Sequence, residues 1–187
     1  MKAAEIGALR TQTLEEGADA LLAAAGAIRR SLDEGGQLLA FGNGGSATDA
    51  ADVVADFRAA PQAWTPRPAI DLSADAAILS ALANDIGPEA LFQRQVIAYG
   101  RPGDVALALS TSGSSANIVA ALVEARRRGL ATVALVGYDG GRVAAERLAD
   151  HVVVSRSEHI PRIQEAQAST YHVLRELVEL GGGPSLA

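Results

Sequence analysis

The stretch 38–56, LLAFGNGGSATDAADVVAD, constrains the possible folds more than any other part of the chain. A short apolar run ends in a glycine-rich turn, and the turn leads directly into a segment with helical periodicity. This order predicts a strand, a turn and a helix. Glycines allow the backbone N–H groups of such a turn to approach a ligand closely, and the start of the helix favours an anion. The same turn also occurs in proteins without a ligand, so both interpretations stay open here.

Side chains in this stretch add to the case for an anion. Ser46 places a hydroxyl at the predicted start of the helix, and Asp52 and Asp56 lie four residues apart on one helical face. The glycine spacing in 42–46 differs from the dinucleotide fingerprint because residue 47 is alanine, and no Gly-Lys-Ser/Thr follows as in a P-loop. We therefore expect a phosphate site with carboxylates beside it and no nucleotide cofactor.

The composition indicates one globular domain over residues 1–187. Hydrophobic residues make up 49% and charged residues 20%, as is usual for a soluble protein. The net charge of −6 gives no support for nucleic-acid binding, and the absence of cysteine excludes disulfides and thiolate metal sites. No apolar run reaches the ~20 residues that span a bilayer, and the N-terminus lacks a secretory signal pattern. We expect a cytoplasmic protein with no membrane partner and a flexible tail at 181–187.

Short apolar runs alternate with helical segments along the chain, which predicts an α/β fold. Such alternation favours right-handed βαβ units and a parallel sheet covered on both faces, with ligands at the carboxyl ends of the strands. The first segment, 3–33, has helical spacing with candidate breaks at Gly17 and Gly26, and it packs either on a partner subunit or on its own sheet. The predicted strands are 37–41, 69–72, 104–109, 132–136 and 151–154, and the other predicted helices are 46–58, 74–83, 88–99, 116–128, 142–148 and 161–180.

A second loop, 110–115, follows the third predicted strand. It places five hydroxyl side chains and one glycine in six residues. Hydroxyls donate hydrogen bonds to phosphate oxygens without adding positive charge, so the loop favours a monophosphate over a triphosphate that requires lysine and Mg²⁺. An alternative is a simple helix N-cap with additional serines. Two such loops at one edge of a parallel sheet favour a phosphate site more strongly than either loop alone.

The last predicted helix adds candidate acid–base side chains. Gln164 and His172 are eight residues apart, which places them roughly 80° from each other around a helix, so both can face one cleft. A histidine on a helix is often structural or simply exposed, and that alternative stays open.

Five motifs of the chain resemble, in residues and in order, those of the sugar isomerase (SIS) domain family, in particular its sedoheptulose-7-phosphate (phosphoheptose) isomerase group. The resemblance covers nearly the whole chain, including the N-terminal helical segment. The motifs are Gly42-Asn43-Gly44-Gly45-Ser46, Asn84-Asp85, Ser110-Thr111-Ser112-Gly113-Ser114-Ser115-Ala116-Asn117, Gly137-Tyr138-Asp139-Gly140-Gly141 and Arg162-Ile163-Gln164-Glu165.

The resemblance implies a flavodoxin-like three-layer αβα sandwich with a five-stranded parallel sheet. It also implies a homotetramer, with a dimer as the alternative, in which the segment 1–35 contributes to oligomer contacts. By the same resemblance, Asp85 lies near the reacting end of a sugar monophosphate substrate. The implied substrate- and phosphate-binding residues are Asn43, Gly44, Gly45, Ser46, Asp85, Ser110, Thr111, Ser112, Ser115 and Gln164.

The resemblance further implies one divalent metal per subunit, typically zinc, at Asp52, Asp56, Gln164 and His172, with Asp56 as the base and His172 as its acid–base partner. Three positions depart from the family pattern: a histidine ligand is Asp52, the catalytic glutamate is Asp56, and a substrate-contacting aspartate is Pro161. Carboxylate, amide and imidazole groups accept zinc, but the additional carboxylate oxygen makes manganese or magnesium an alternative.

The implied function is an aldose–ketose isomerase that converts sedoheptulose 7-phosphate into D-glycero-D-manno-heptose 7-phosphate. One alternative is a non-catalytic member that binds a replication initiator as a tetramer, and another is a sugar-phosphate sensor. The carboxylate retained at Asp56 favours the enzyme, because the replication-associated group lacks it. Sensors of this family usually carry a DNA-binding segment, which the acidic chain does not show.

Overall fold

The N-terminal segment forms two helices, α1 (Lys2–Glu16) and α2 (Ala18–Asp33). The structure is a computed structural model that describes residues 2–59 and 64–181. Gly17 separates the helices, and a Cβ there would lie 2.7 Å from the Val153 side chain, so the residue must be small. The helix continues through Gly26, so the predicted break is confirmed at Gly17 and wrong at Gly26. Both helices pack against the last helix and the last strand of their own chain, and the predicted contact of this segment with a partner subunit stays a prediction.

All five predicted strands are present, and each begins and ends within two residues of its predicted bounds. They are β1 (Leu38–Gly42), β2 (Ala69–Asp71), β3 (Val105–Ser110), β4 (Ala131–Gly137) and β5 (His151–Ser155). Their order is β2-β1-β3-β4-β5, and every pair is parallel. β1 and β3 are buried at every position, as expected for strands covered on both faces.

The remaining helices are α3 (Gly45–Ala59), α4 (Ala76–Asp85), a 3₁₀ turn (Pro88–Ala90), α5 (Leu91–Tyr99), α6 (Ala116–Arg127), α7 (Gly141–Ala145) and α8 (Ile160–Leu180). Helices α2, α3 and α8 pack on one face of the sheet and α5, α6 and α7 on the other, and mainly aliphatic side chains fill both interfaces. The predicted three-layer α/β fold is therefore confirmed. The predicted helix 142–148 is shorter than expected, because Arg147 adopts a positive φ of 52°.

The predicted loop 59–68 is partly described, since residues 60–63 lie outside the described ranges. Of the predicted tail at 181–187, residues 182–187 also lie outside them. No helix in the described part of the chain is long and apolar enough to cross a membrane.

Buried Gln167 holds α8 over the carboxyl edge of the sheet. Its Nε2 donates to the Leu135 carbonyl at 3.0 Å and to the Ser110 carbonyl at 3.4 Å. These carbonyls belong to β4 and to the end of β3, so the contact fixes the helix beside the second predicted loop. The Oε1 atom of the same amide is buried and has no hydrogen-bond partner among the described residues, so the contact stabilises the fold through Nε2 alone.

We predict that Gln167→Leu lowers the free energy of unfolding by about 1 kcal/mol, because two buried carbonyls lose a donor. Urea denaturation measures this change. Gln12→Leu is the matched control: Gln12 is exposed on α1 and bonds only to Glu16, so its substitution should change stability by less than about 0.5 kcal/mol. Equal effects of the two substitutions would show that the buried hydrogen bonds of Gln167 do not stabilise the fold.

Candidate active site

The glycine-rich turn and the serine-rich loop leave neighbouring strands of the sheet. Gly42, the last residue of β1, is opposite Leu109 of β3, so the two loops begin side by side. The side chains of Asn43 and Asn117 join them through two hydrogen bonds of 2.9 and 3.0 Å. The predicted meeting of the loops at one edge is therefore observed. No role was predicted for Asn117 from the sequence, although the residue ends the third motif, 110–117.

The glycines of the first turn allow the chain to bend and to pack closely. Gly44 has a positive φ of 56°, which favours glycine. At Gly45 a Cβ would overlap the amide nitrogen of Gln164, so the start of α3 lies directly against α8. Ser46 is buried in the first turn of α3. Three of the predicted binding residues thus surround the N-terminus of one helix.

The second loop keeps its hydroxyl side chains close together. Ser110 Oγ accepts a hydrogen bond from Gly113 N at 3.1 Å, and Ser112 Oγ accepts one from Ser114 N at 3.2 Å. Ser115 occupies the N-cap position of α6, but its side chain makes no capping hydrogen bond. An N-cap alone therefore does not explain the serines, and the hydroxyl of Ser115 is available to a ligand.

A hydrogen bond joins the two candidate acid–base residues. His172 Nδ1 of α8 lies 2.7 Å from Asp56 Oδ2 of α3. The His172 side chain is 54% exposed and that of Asp56 is 28% exposed, so the pair is open to a substrate. Tyr171, the preceding residue, donates its hydroxyl to Asp52 Oδ2 at 3.3 Å. The i,i+4 carboxylates of α3 thus face α8, as the helical spacing predicts.

Asp49 is a candidate functional residue that the sequence analysis missed. It lies between Ser46 and Asp52 at helical spacing, so the face of α3 is continuous from the turn to the acid–base pair. Its Oδ2 is buried and has no hydrogen-bond partner among the described residues. Burial, and then the charge of Asp52, raise the pKa of Asp49 to about 6, although the Gln164 amide acts in the opposite direction. The spacing of Ser46, Asp49 and Asp52 is the signal that could have identified it.

Burial also raises the pKa of the Tyr171 phenol, and the charges of Asp49 and Asp52 raise it further. The phenol therefore stays protonated and serves as a hydrogen-bond donor to Asp52. Like Asn117 and Asp49, Tyr171 had no role predicted from the sequence.

Of the four residues implied as metal ligands, Asp56 and His172 are hydrogen-bonded to each other. Asp52 is instead bonded to Tyr171, and the Gln164 amide lies against Gly45. Among residues 2–59 and 64–181, no three His, Cys, Asp or Glu side chains form a group that could hold a metal ion. Their chemistry suits zinc or manganese, but this arrangement does not fit a metal ion as it stands. No step of a reaction is therefore assigned to a metal below.

Two further positions predicted from the sequence, Asp85 and Pro161, lie at the ends of helices. Asp85 is exposed at the end of α4 and accepts a hydrogen bond from Asn84 at 2.7 Å. No hydrogen bond in the described part of the chain links Asp85 to the Asp56–His172 pair. Pro161 occupies the first turn of α8, where its missing N–H is tolerated.

A cavity of about 610 Å³ opens on the far side of the second loop. Its lining includes Ser112, Ser114, Tyr138 and Arg156. The acid–base pair is not part of this lining. The cavity therefore adjoins one of the phosphate-type loops but does not define the candidate active site.

We predict that Asp49→Asn changes how stability depends on pH. Because the folded-state pKa is raised from 3.8 to about 6, the folded protein holds a proton that the unfolded chain releases. The contribution of this proton to the free energy of unfolding is fully present below about pH 4 and is lost as the pH rises through about 6. Since Asp49 is only half-buried, solvent screening reduces the effect to about 1 kcal/mol.

Urea denaturation at pH 4 and pH 7.5 measures this difference. We expect the free energy of unfolding of Asp49→Asn to rise by about 1 kcal/mol relative to that of the wild type when the pH is raised from 4 to 7.5. A difference between variant and wild type that is constant across this pH range would show that Asp49 is ionised normally.

The comparisons with known proteins agree with the fold and the loops. The model of the SIS domain matches residues 3–137. The phosphoheptose isomerase of Thermodesulfovibrio yellowstonii is 43% identical over 153 residues, which are 81% of this chain and 75% of that protein. The phosphoheptose isomerase of Aquifex aeolicus is 44% identical over 159 residues, or 83% of this chain and 81% of that protein.

Solved structures show the same relationship in three dimensions. A phosphoheptose isomerase from Neisseria gonorrhoeae superposes with a TM-score of 0.88 at 31% identity, over 96% of this chain and 95% of that one. One from Francisella tularensis has a TM-score of 0.84 at 30% identity, over 96% and 97%. The chain therefore belongs to the SIS domain family and, within it, to the phosphoheptose isomerases.

Proposed function

We propose that this chain is an aldose–ketose isomerase that converts sedoheptulose 7-phosphate into D-glycero-D-manno-heptose 7-phosphate. The observation that carries the proposal is the 2.7 Å contact between Asp56 and His172. It joins the Asp56 carboxylate on α3, the helix that begins at the first phosphate-type loop, to the His172 imidazole on α8. The relatives are named phosphoheptose isomerases, which supports a heptose phosphate as the substrate, and the geometry supplies the acid–base pair.

The substrate phosphate is proposed to bind at the two loops. Backbone N–H groups at the starts of α3 and α6 and the hydroxyls of 110–115 donate to its oxygens, and the two helix dipoles favour its charge. Binding the phosphate there holds the other end of the sugar in a fixed place. Orientation of this kind lowers the barrier of the chemical step because the reacting groups meet in the correct geometry.

The proposed reaction moves one proton between two carbons. Asp56 removes a proton from C1 of the ketose while His172 donates a proton to the carbonyl oxygen on C2, which gives an enediol. His172 then takes the proton from the oxygen on C1, and Asp56 returns its proton to C2. The product is the aldose, and both side chains end in their starting states.

A divalent metal, with zinc as the first expectation, stays a prediction for this site. Asp52, Asp56, Gln164 and His172 carry oxygen and nitrogen donors of the kinds that zinc accepts, but their side chains would have to rearrange to surround an ion. A cytoplasmic location is part of the same proposal, because a charged sugar monophosphate does not cross a membrane unaided.

Two observations favour a second candidate, a non-catalytic sugar-phosphate-binding member of the family. The described residues offer no ready group for a metal, and Pro161 replaces an acidic side chain of the family pattern. Such a protein would bind the phosphate at the two loops without turning the sugar over. A direct assay of turnover separates the two candidates.

We expect the purified protein to convert sedoheptulose 7-phosphate, and we expect Asp56→Asn to lower kcat at least about 100-fold because it removes the base. Asp56→Glu is the matched control, since it keeps a carboxylate and should retain measurable turnover. The assay is run after EDTA treatment and with added Zn²⁺, Mn²⁺ or Mg²⁺. Binding of the sugar phosphate without turnover under any of these conditions would favour the non-catalytic candidate.

Helix α4 supports a further part of the proposal, a homo-oligomer. Seven of its ten residues are apolar, yet none of the ten is buried. Ile86, directly after the helix, is 53% exposed. An apolar helix left open in one subunit indicates a contact with another copy. We propose a homotetramer, with a dimer as the alternative, in which α4 is covered.

Ile86→Glu is predicted to dissociate this oligomer, because it places a charge in an apolar interface. Light scattering coupled to size-exclusion chromatography measures the mass. Val123→Glu on α6, where Val123 is 49% exposed, is the matched control and should leave the mass unchanged. A monomeric wild type, or equal dissociation by both substitutions, would contradict the assignment of α4.

A further inference from the structure

Arg175 of α8 is fully buried between two aromatic rings. Its side chain is 1% exposed. The guanidinium carbon lies 4.8 Å from the ring centre of Phe57 and 4.7 Å from that of Trp64. Phe57 directly follows Asp56 in α3, and Trp64 lies in the segment that leads to β2. The flat guanidinium suits this position because it stacks on aromatic faces with either side.

The edges of the same guanidinium are bonded to the backbone of both neighbouring segments. Nε donates to the Asp56 carbonyl at 3.3 Å, and another nitrogen donates to the Thr65 carbonyl at 3.4 Å. A third nitrogen pairs with Glu179, one turn further along α8. A buried charge is costly unless it is paired and hydrogen-bonded, and these contacts meet both conditions.

A second arginine extends the network away from the candidate site. Arg67 Nε lies 3.7 Å from the Glu179 carboxylate, and its terminal nitrogen pairs with Asp33 at 2.7 Å. Arg67 has no contact with Asp56 or His172 among the described hydrogen bonds. Arg67 therefore pairs with the same carboxylate as Arg175, that of Glu179, but does not reach the acid–base pair.

Arg175 and His172 hold the same residue of α3. They are three residues apart on α8, so they lie on one face of the helix. His172 bonds to the Asp56 carboxylate, and Arg175 bonds to the Asp56 carbonyl. The two contacts fix the side chain and the backbone of Asp56 at once. A shift of α3 against α8 that breaks the backbone contact also displaces the carboxylate from the imidazole.

We propose that Arg175 is a positioning residue: clamped between Phe57 and Trp64, it holds the last turns of α3 so that the Asp56 carboxylate meets His172. Its effect on rate rests on the proposed isomerase function. Its effect on the Asp56–His172 contact does not, and the two effects are measured separately.

The test compares Arg175→Lys, Arg175→Met and the control Arg67→Met. Lysine keeps the charge but cannot stack as a plane or donate to two carbonyls and Glu179 in one geometry. We expect both Arg175 variants to lower kcat about 10- to 100-fold, with KM changed less than about threefold. Arg67→Met should lower the melting temperature and leave kcat unchanged.

The second measurement is the ¹⁵N spectrum of the histidine rings at constant pH, which reports the hydrogen bond at Nδ1. The chain has three histidines, and Asp56→Asn assigns the signal of His172. We expect this signal to change in both Arg175 variants and to stay unchanged in Arg67→Met. If Arg175→Met does not fold, Arg175→Lys carries the test.

The proposal would be overturned if the His172 ring signal of Arg175→Lys were the same as in the wild type. It would also be overturned if Arg67→Met changed that signal as much as the Arg175 variants do. Unchanged kcat in Arg175→Lys, in a protein that does turn over the sugar phosphate, would overturn it too. If the wild type converts no sugar phosphate, the isomerase proposal fails, and the ring signals alone decide whether Arg175 positions Asp56.

Discussion

The parallel pairing of β1 with β3 is the constraint on which the candidate site depends. Its register sets Gly42 opposite Leu109, so the glycine-rich turn and the serine-rich loop leave the sheet side by side. The chain runs from β1 outward to β2 and then returns to the other side of β1 for β3. Such a reversal opens a crevice at the carboxyl ends of the strands, and ligands of open α/β sheets bind there. Both strands are buried throughout, which holds this edge in place.

Helix α8 connects that edge to the acid–base pair. Near its start Gln164 lies against the first turn of α3, and Gln167 then bonds to the ends of β3 and β4. Further along, His172 meets the carboxylate of Asp56, and Arg175 holds the backbone of the same residue. One helix therefore sets the distance between the phosphate-type loops and the groups that would move protons.

The face of α3 that meets α8 concentrates acidic side chains. Asp49, Asp52 and Asp56 follow one another at helical spacing, and a buried carboxylate among others becomes harder to ionise. Hydrogen bonds from Tyr171 and His172 partly offset the repulsion. This arrangement explains why carboxylates at positions 52 and 56 are compatible with the fold. Binding of a metal ion at the site would depend on the same carboxylates, because Asp52 and Asp56 are among its implied ligands.

Local patterns in the sequence were sufficient to predict the strands, most of the helices and the positions of both loops. Apolar runs, helical spacing and glycines are properties of neighbouring residues, and the resemblance to the SIS family adds the five-stranded parallel sheet. The break at Gly17 and the helix ending before Arg147 depend on more than spacing. The Val153 side chain packs against Gly17, and the positive φ of Arg147 prevents α7 from continuing.

The sequence by itself therefore determined that a parallel sheet carries two phosphate-type loops, followed by helices with carboxylates and a histidine. Only the tertiary structure decided which of these side chains meet. Asp56 and His172 are 116 positions apart, and their contact exists because α3 and α8 pack on the same face of the sheet. The burial of Asp49 and the clamp around Arg175 have the same origin. A residue's solvent exposure and partners are set by elements distant in sequence, and local periodicity does not encode them.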